Sequence, residues 1–371
     1  MKTFKSGNFA RTVAFFLIAV AVICTIGFAA NGWQSFTNDG NNSGDVDSSG
    51  SNNSDNTDDN TQNNNSDEPT VYIPKYVDYL TGLETSEAEY YTRPTVFVMN
   101  SSNPLYGISS SLMTVELPTE AQDTRLMVYM NSTVLPGKIG SLAPTRKYID
   151  NIAKYFGGIL VSYGNDDSMS YDGFNISSTR FDLSGKTGYH YTEYTHFVYT
   201  NGDLIDAGIS SNGIVTYSNQ KASIPFAFAD FGKQAVLGTV SAAKIILPYS
   251  TSSETKLTYS EENQRYTLSK SQQPKKDLLN DKAAEYDNVF VLFADATTYE
   301  TQAASEMILD TVSGGVGIYA NKGYAKEIRW SVDTEGNMLF TDELGEKLTV
   351  NRGTSYIGFM KSSRIKDVTI S

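Results

Sequence analysis

The chain has 371 residues, with 29 lysines and arginines against 42 aspartates and glutamates, which gives a net charge of −13. This acidic balance argues against a general nucleic-acid-binding surface, because phosphate contacts need a basic face. The single cysteine, Cys24, lies near the N-terminus, so the rest of the chain can form no disulfide, thiolate metal site or cysteine nucleophile.

The first predicted element is the uncharged apolar run at 12–30, TVAFFLIAVAVICTIGFAA. As a helix it would be roughly 28 Å long, close to the thickness of a hydrocarbon core. Three basic residues and no acid precede it, so the positive-inside rule makes 1–11 a cytoplasmic tail. We predict a single-pass anchor in the cell membrane with an ectodomain outside the cytoplasm. The alternative is a cleaved secretory signal, because Gly27-Phe28-Ala29 offers small residues for cleavage.

The next segment, 31–70, carries eight acids and no base and consists mainly of Asn, Ser, Asp, Gly and Thr. It holds too few apolar residues to offset the entropy of ordering, so we predict a disordered acidic linker.

Ordered structure is predicted from residue 71 onward, beginning with a domain over 71–220. Apolar runs predict strands at 95–99, 111–117, 124–130 and 158–163. Between the last two strands, RKYIDNIAKYF repeats apolar residues at helical spacing and predicts a helix.

A second domain is predicted over 240–365, where apolar runs alternate with polar turns. The predicted strands are KIILPY, TKLTYS, QRYTLS, DNVFVLFA, VGIYA, EIRWSV, NMLFTD, KLTV and SYIGFM, with one helix at about 301–311. The predicted fold class is therefore α+β, with a mixed α/β N-terminal domain followed by a β-rich C-terminal domain.

No complete catalytic motif is present. Two Ser-x-x-Lys matches, at Ser218 and Ser253, follow Lys186-Thr187-Gly188 in the chain, which is the reverse of the order in penicillin-recognising enzymes. The two histidines, His190 and His196, flank Glu193 at a spacing that suits neither one strand face nor an i, i+4 helical pair. We assign no catalytic residue, no metal site and no cofactor.

Motifs in serial order resemble the YerB-like lipoproteins of unknown function from Gram-positive bacteria. They are, in order, Leu80-Thr81-Gly82-Leu83, Arg93-Pro94, Val98-Met99-Asn100, Tyr106-Gly107-Ile108-Ser109, Glu116, Thr124-Arg125, Ile139-Gly140, Arg146, the YTHFVYT segment with His196, KIILPYS, DNVFVLF, GGVGIY and Trp330. The resemblance covers about 72–362 and implies two adjacent domains outside the membrane. It implies no reaction.

The chain departs from that family's pattern at four places. The segment before the helix has Ala143 where a first arginine is usual, and the following strand ends in Ser162-Tyr163-Gly164 without its usual histidine. The PHxD-like segment is Pro274-Lys275-Lys276-Asp277, so its histidine is absent. The lipobox is also missing.

Three residues are candidates for binding. Arg125 at a strand start and Arg146 beside a helix N-terminus could together hold an anionic group, although arginines at such positions often pair with nearby acids. His196 is a third candidate through the resemblance alone.

The leading hypothesis is a membrane-anchored, extracytoplasmic, non-catalytic binding or scaffold protein of the bacterial cell envelope. Its expected partners are the membrane, through the N-terminal helix, and a cell-wall component or another exported protein. The alternative is an envelope hydrolase or transferase that acts on an anionic substrate through Arg125, Arg146 and His196.

Overall fold

A computed structural model describes residues 71–120, 122–164, 180–194, 196–219, 223–300 and 305–371. The predicted membrane anchor at 12–30 and the predicted linker at 31–70 lie outside these residues. Within the described ranges, no helix combines the length and the apolar character needed to cross a bilayer.

The described residues are mostly β-strand with few helices. The α-helices are α1 (Glu87–Tyr90), α2 (Lys147–Tyr155) and α3 (Gly202–Ser211), and 3-10 segments lie at Ile108–Ser110 and Ser362–Asp367. The first strands are β1 (Thr95–Asn100), β2 (Ser111–Pro118), β3 (Thr124–Met130), β4 (Ile139–Gly140), β5 (Ile159–Ser162), β6 (Arg180–Asp182), β7 (Tyr191–Glu193) and β8 (Phe197–Thr200).

The remaining strands belong to the C-terminal half of the chain. They are β9 (Ala227–Phe228), β10 (Val240–Ser241), β11 (Lys244–Pro248), β12 (Glu254–Ser260), β13 (Arg265–Lys270), β14 (Gln273–Pro274), β15 (Glu285–Tyr286), β16 (Asn288–Ala294), β17 (Ala296–Glu300), β18 (Ser305–Leu309), β19 (Gly315–Asn321), β20 (Tyr324–Val332), β21 (Met338–Thr341), β22 (Thr349–Val350), β23 (Ser355–Lys361) and β24 (Thr369–Ile370).

The strands and the helix predicted in the first half form where the apolar pattern placed them. In β1 five of six residues are buried, as expected for a continuous apolar run in a strand that is covered on both faces. Helix α2 buries Ile149, Ile152 and Ala153 against the same core as Val96 and Val98 of β1. The 3.6-residue spacing therefore predicted its buried face correctly.

The helix predicted at about 301–311 is wrong. Strand β18 occupies 305–309 and pairs antiparallel with β17, from Ala296 opposite Leu309 to Glu300 opposite Ser305. Met307 and Leu309 are buried whereas Ile308 is 41% exposed, which is the two-residue alternation of a half-buried strand. Packing overrode the helical propensity of this short segment, as propensity is a weak determinant alone.

Helix α3 was not predicted from the sequence. It begins with Gly202 and contains Gly208, and glycine is unfavourable within helices. Its N-terminus is capped by Asn201, whose side chain accepts a hydrogen bond from the Leu204 amide at 2.9 Å. Gly208 is required by packing, because a Cβ there would lie 2.3 Å from the Phe181 ring.

Among the described residues, eleven strands form one mixed sheet that includes both halves of the chain. The strand order is β10-β20-β19-β16-β23-β2-β3-β1-β5-β6, and β21 pairs with β20. The two halves meet where β2 runs parallel to β23, from Met113 opposite Ser355 to Glu116 opposite Gly358. Residues Tyr72–Ser371 accordingly form one compact unit.

Each face of this sheet is covered by a hydrophobic core that draws on both halves. One core joins Phe97 and Val128 to Ile245 and Leu257 of a second sheet, whose strand order is β14-β13-β12-β11-β24. The other joins Val96 and Ile149 to Phe290 and Trp330. The junction between the halves is therefore part of the protein interior, which brings polar side chains from both halves together at the end of β2.

Candidate functional site

Two predicted binding residues, Arg125 and Arg146, lie together at one end of the long sheet. Arg125 is near the start of β3, and Arg146 precedes the first turn of α2. The loop between β2 and β3 supplies Glu120, which forms an ion pair with Arg146. Arg146 also donates from Nη1 to the Thr145 carbonyl oxygen at 3.0 Å, and it is only 8% exposed.

The guanidinium of Arg125 is incompletely compensated by the described residues. Its side chain is 11% exposed, and its ion pair with Asp123 spans 3.9 Å between Nη1 and Oδ2. Nη1 donates a long hydrogen bond of 3.4 Å to the Thr124 carbonyl, while the buried Nε has no hydrogen-bond partner in the described part of the chain. Burial and the positive charge of Arg146 lower the pKa of Arg125. A buried, weakly paired cation of this kind favours an added anion.

The two acids of the β2–β3 loop have lowered pKa values. Burial alone would raise the pKa of Glu120, but the hydrogen bond and charge of Arg146 lower it overall. Burial likewise opposes ionisation of Asp123, whose pKa is nevertheless lowered by hydrogen bonds from Ser102, Thr124 and Ser101. Ser101 and Ser102 donate to Asp123 Oδ1 at 3.0 and 2.8 Å. Both acids are therefore ionised at neutral pH.

Next to this loop, the buried carboxylate of Glu116 joins the two halves of the chain. It is fully buried near the end of β2 and forms an ion pair with Lys270 of β13. It accepts hydrogen bonds from Thr255 at 2.9 and 3.0 Å and from the hydroxyls of Thr124 and Tyr356. Burial, and then the charge of Glu116, raises the pKa of Tyr356. We call Glu116, Lys270, Thr124, Thr255 and Tyr356 the buried polar hub.

Lys270, Thr255 and Tyr356 carry no local sequence pattern that would mark them as partners of Glu116. A usable signal was present in Glu116, because an acid inside the apolar strand SLMTVELP must find a buried cation or several donors. This pattern predicts that Glu116 has buried partners, but it does not predict which residues they are. The partners lie 139 to 240 residues further along the chain.

The third predicted binding residue, His196, lies on a different element from the two arginines. It is exposed beside the turn that joins β7 and β8, where its ring lies 4.1 Å from that of Phe197. The same hairpin holds Glu193, which accepts a hydrogen bond from Lys138 at 2.7 Å. The Lys138 ammonium also lies 3.9 Å from the ring centroid of Tyr106.

Among the described residues, no group of three histidine, cysteine, aspartate or glutamate side chains is placed to hold a metal ion. Around Arg125 and Arg146, the described side chains supply guanidinium donors, hydroxyls and ionised carboxylates.

Two family models match consecutive parts of the chain. One, described as the N-terminal domain of a protein of unknown function (DUF3048), matches residues 80–215, and the C-terminal domain of the same description matches 245–357. The chain belongs to the DUF3048 family. Comparison with curated proteins gives no match.

The DUF3048 fold is also similar to a solved structure, that of the YerB protein from Bacillus subtilis. The two share 20% sequence identity with a TM-score of 0.68, and the match covers 80% of this chain and 100% of the YerB chain. The resemblance to a two-domain YerB-like family is thus confirmed, and both halves of the family pattern occur in order.

The PHxD-like segment of this DUF3048 chain has a structural role through its aspartate. Asp277 is fully buried and accepts hydrogen bonds from the Gly107 and Ser109 amides at 3.0 and 3.1 Å and from the Ser109 hydroxyl at 2.6 Å. It thereby ties the C-terminal half to the loop before β2. Lys275 of the same segment is half-buried near the hub, and burial together with the charge of Lys270 lowers its pKa.

Proposed function

We propose that this DUF3048 protein is a membrane-anchored, extracytoplasmic, non-catalytic binding protein of the bacterial cell envelope. The ligand is an anionic group on a cell-wall component or on another exported protein. The observation that carries the proposal is the state of Arg125, which is almost buried, is 3.9 Å from its paired carboxylate and has no hydrogen-bond partner for Nε among the described residues. The uncharged run at 12–30 after three basic residues supports the anchor.

The environment of Glu116, the buried acid near Arg125, favours a binding function for this site over a catalytic one. Glu116 is fully buried, and its carboxylate already accepts hydrogen bonds from four side chains of the hub. A general base must reach the proton that it removes. The hub therefore supports the position of Arg125, through the adjacent Thr124, without offering a reactive group to an external substrate.

Titration calorimetry of the detergent-solubilised full-length protein tests the proposal. The probes are inorganic phosphate and phosphate-bearing wall fragments, each measured at low and high salt. We expect wall fragments to bind, and Arg125→Met to weaken that binding by about tenfold or more, the value of one charge-assisted hydrogen bond. Arg364→Met, which changes an arginine paired with the exposed Asp367, is the matched control and should bind as the wild type.

If Arg125→Met binds wall fragments as tightly as the wild type and has an unaltered circular dichroism spectrum, the proposal is wrong. Failure of both probes to bind the wild type would count equally against it. Release of a cleaved product from wall fragments by the wild type, and not by Arg125→Met, would instead favour the alternative hydrolase or transferase.

A further inference from the structure

A second site is a polar cleft between the two halves, distinct from the arginine site. Its volume is about 440 Å³, within the range of pockets that hold small molecules. The first half contributes Ile108, Ser109 and Ser111, and the second half contributes Arg265, Lys282 and Glu285 among others. Most of this lining is polar, so the cleft suits a small polar ligand.

Arg265 brings a guanidinium to the cleft with only part of its hydrogen-bonding capacity used. Its Nη2 donates to the Glu285 carbonyl at 2.7 Å and to the Thr354 hydroxyl at 2.8 Å. Its Nη1 lies 3.7 Å from Glu285 Oε2, and its Nε lies 3.6 Å from Asp287 Oδ1. These are ion-pair contacts beyond good hydrogen-bond distance.

Opposite charges in the cleft are available to a ligand. Lys282 is exposed, and the hydrogen bonds that the structure gives it among the described residues are made by its backbone amide and carbonyl groups. Among the described residues, the hydrogen bonds that the Glu285 carboxylate accepts are long ones through Oε1, from Thr267 at 3.3 Å and from Asn263 at 3.5 Å. An ammonium and a carboxylate with spare capacity therefore line one space.

We propose that this cleft binds a small zwitterion of about dipeptide size. Lys282, together with the Nη1 edge of Arg265, receives the ligand carboxylate, and Glu285 receives the ligand ammonium. A ligand with a single charge would leave one of these groups facing a like charge or no charge, whereas a zwitterion matches both. This site is independent of the anion site at Arg125.

The test uses the full-length protein and three dipeptide probes in titration calorimetry. The probes are alanyl-alanine, its N-acetyl form without the ammonium, and its amide form without the carboxylate. We expect the wild type to bind alanyl-alanine about tenfold more tightly than either blocked form, since each loses a charge-assisted hydrogen bond.

Variants of Lys282 and Glu285 test which residue contacts each charged end of the ligand. Lys282→Met should remove the difference between the dipeptide and its amide, and Glu285→Gln should remove the difference between the dipeptide and its N-acetyl form. Lys276→Met is the matched control, because Lys276 lies on the same loop and pairs with the exposed Asp281. It should bind all three probes as the wild type does.

Absence of alanyl-alanine binding at millimolar concentration overturns the proposal, and so does equal binding of all three probes. Equal effects of Lys282→Met and Lys276→Met would also overturn it. Lys282 is exposed, so its variant keeps the test decisive even if Glu285→Gln perturbs β15. Retention of dipeptide binding by Arg125→Met would separate this site from the proposed anion site.

Discussion

At the scale of single residues, the Glu116–Lys270 pair determines how the two halves are held together. Both side chains are buried, and the carboxylate also accepts from Thr124, Thr255 and Tyr356. Such a pair need not add net stability over an apolar replacement, but removing one partner leaves an uncompensated buried charge. Loss of either partner is therefore expected to cost more than loss of an exposed ion pair.

We predict that Lys270→Met destabilises the protein by about 3–5 kcal/mol, the usual cost of breaking a buried ion pair. Glu116→Gln, which removes the other charge, should also destabilise. The double variant should cost less than the sum of the single ones by about 1–3 kcal/mol, because neither charge is then left alone. Urea unfolding of the four proteins measures these differences.

The control for this cycle is Lys276→Met. Its ion pair with Asp281 is solvent-exposed, with side chains 45% and 79% accessible, so the loss should be below about 1 kcal/mol. Additive single and double variants, or a Lys270→Met protein as stable as the control, would contradict the assigned role of the hub.

The residues of the candidate site were only partly predictable from the sequence. Arg125 and Arg146 could be selected because each stands at the end of a predicted element, where side chains reach a common edge. Their relation to Glu120 depends on a loop conformation that has no local pattern, and Lys270 reaches Glu116 from 154 residues away. Pairing of this kind follows from the tertiary fold and not from spacing.

At the scale of elements, helix α1 shows how a short helix is held by its cap. Ser86 accepts a hydrogen bond from the Glu89 amide, and Glu89 accepts one from the Ser86 amide at 2.8 Å. Thr85 and Asn131 also donate to the Glu89 carboxylate, both at 2.6 Å. The hydrogen bond from Thr85, followed by those from Ser86, lowers the pKa of Glu89 from 4.5 to about 2.

This lowered pKa predicts a pH-dependent contribution to stability. The ionised carboxylate stabilises the fold above pH 4.5, and the contribution is lost as the pH falls from 4.5 to about 2. Glu89→Gln should therefore be less stable than the wild type at neutral pH by about 0.5–1 kcal/mol, since Glu89 is only partly buried and solvent screens its charge. The gap should close between these two pH values.

Urea unfolding of both proteins across this pH range checks the expectation. Glu87→Gln, on the same turn of α1 but exposed, is the matched control and should change stability less. A stability gap that stays constant with pH would mean that the Glu89 carboxylate acts through shape rather than through its charge.

The accuracy of the element predictions depended on local patterns. β1 and α2 were predictable because their apolar residues repeat over several turns or pleats. β18 and α3 were not, because each is defined by distant contacts: β18 by its pairing with β17, and Gly208 of α3 by the Phe181 ring.

At the scale of the whole molecule, the two DUF3048 regions share one interior. The two family models match 80–215 and 245–357 separately. One sheet nevertheless contains strands from both regions, because β2 of the first pairs with β23 of the second. Both hydrophobic cores contain residues from the two regions, and Asp277 and Lys270 bond directly to the first half. Independent domains would instead each close their own core.

We predict that neither half folds alone. A fragment of residues 71–219 would expose the edge of β2 and lose Lys270, Thr255 and Tyr356 from around Glu116, while a fragment of 223–371 would expose the edge of β23. Exposed strand edges favour aggregation, and each fragment would lack residues that complete both hydrophobic cores. Each fragment alone should give no cooperative thermal transition by circular dichroism, whereas the two expressed together should co-elute in gel filtration and unfold cooperatively. A cooperative transition in either isolated fragment would show instead that the shared sheet is an interface between two domains that fold separately.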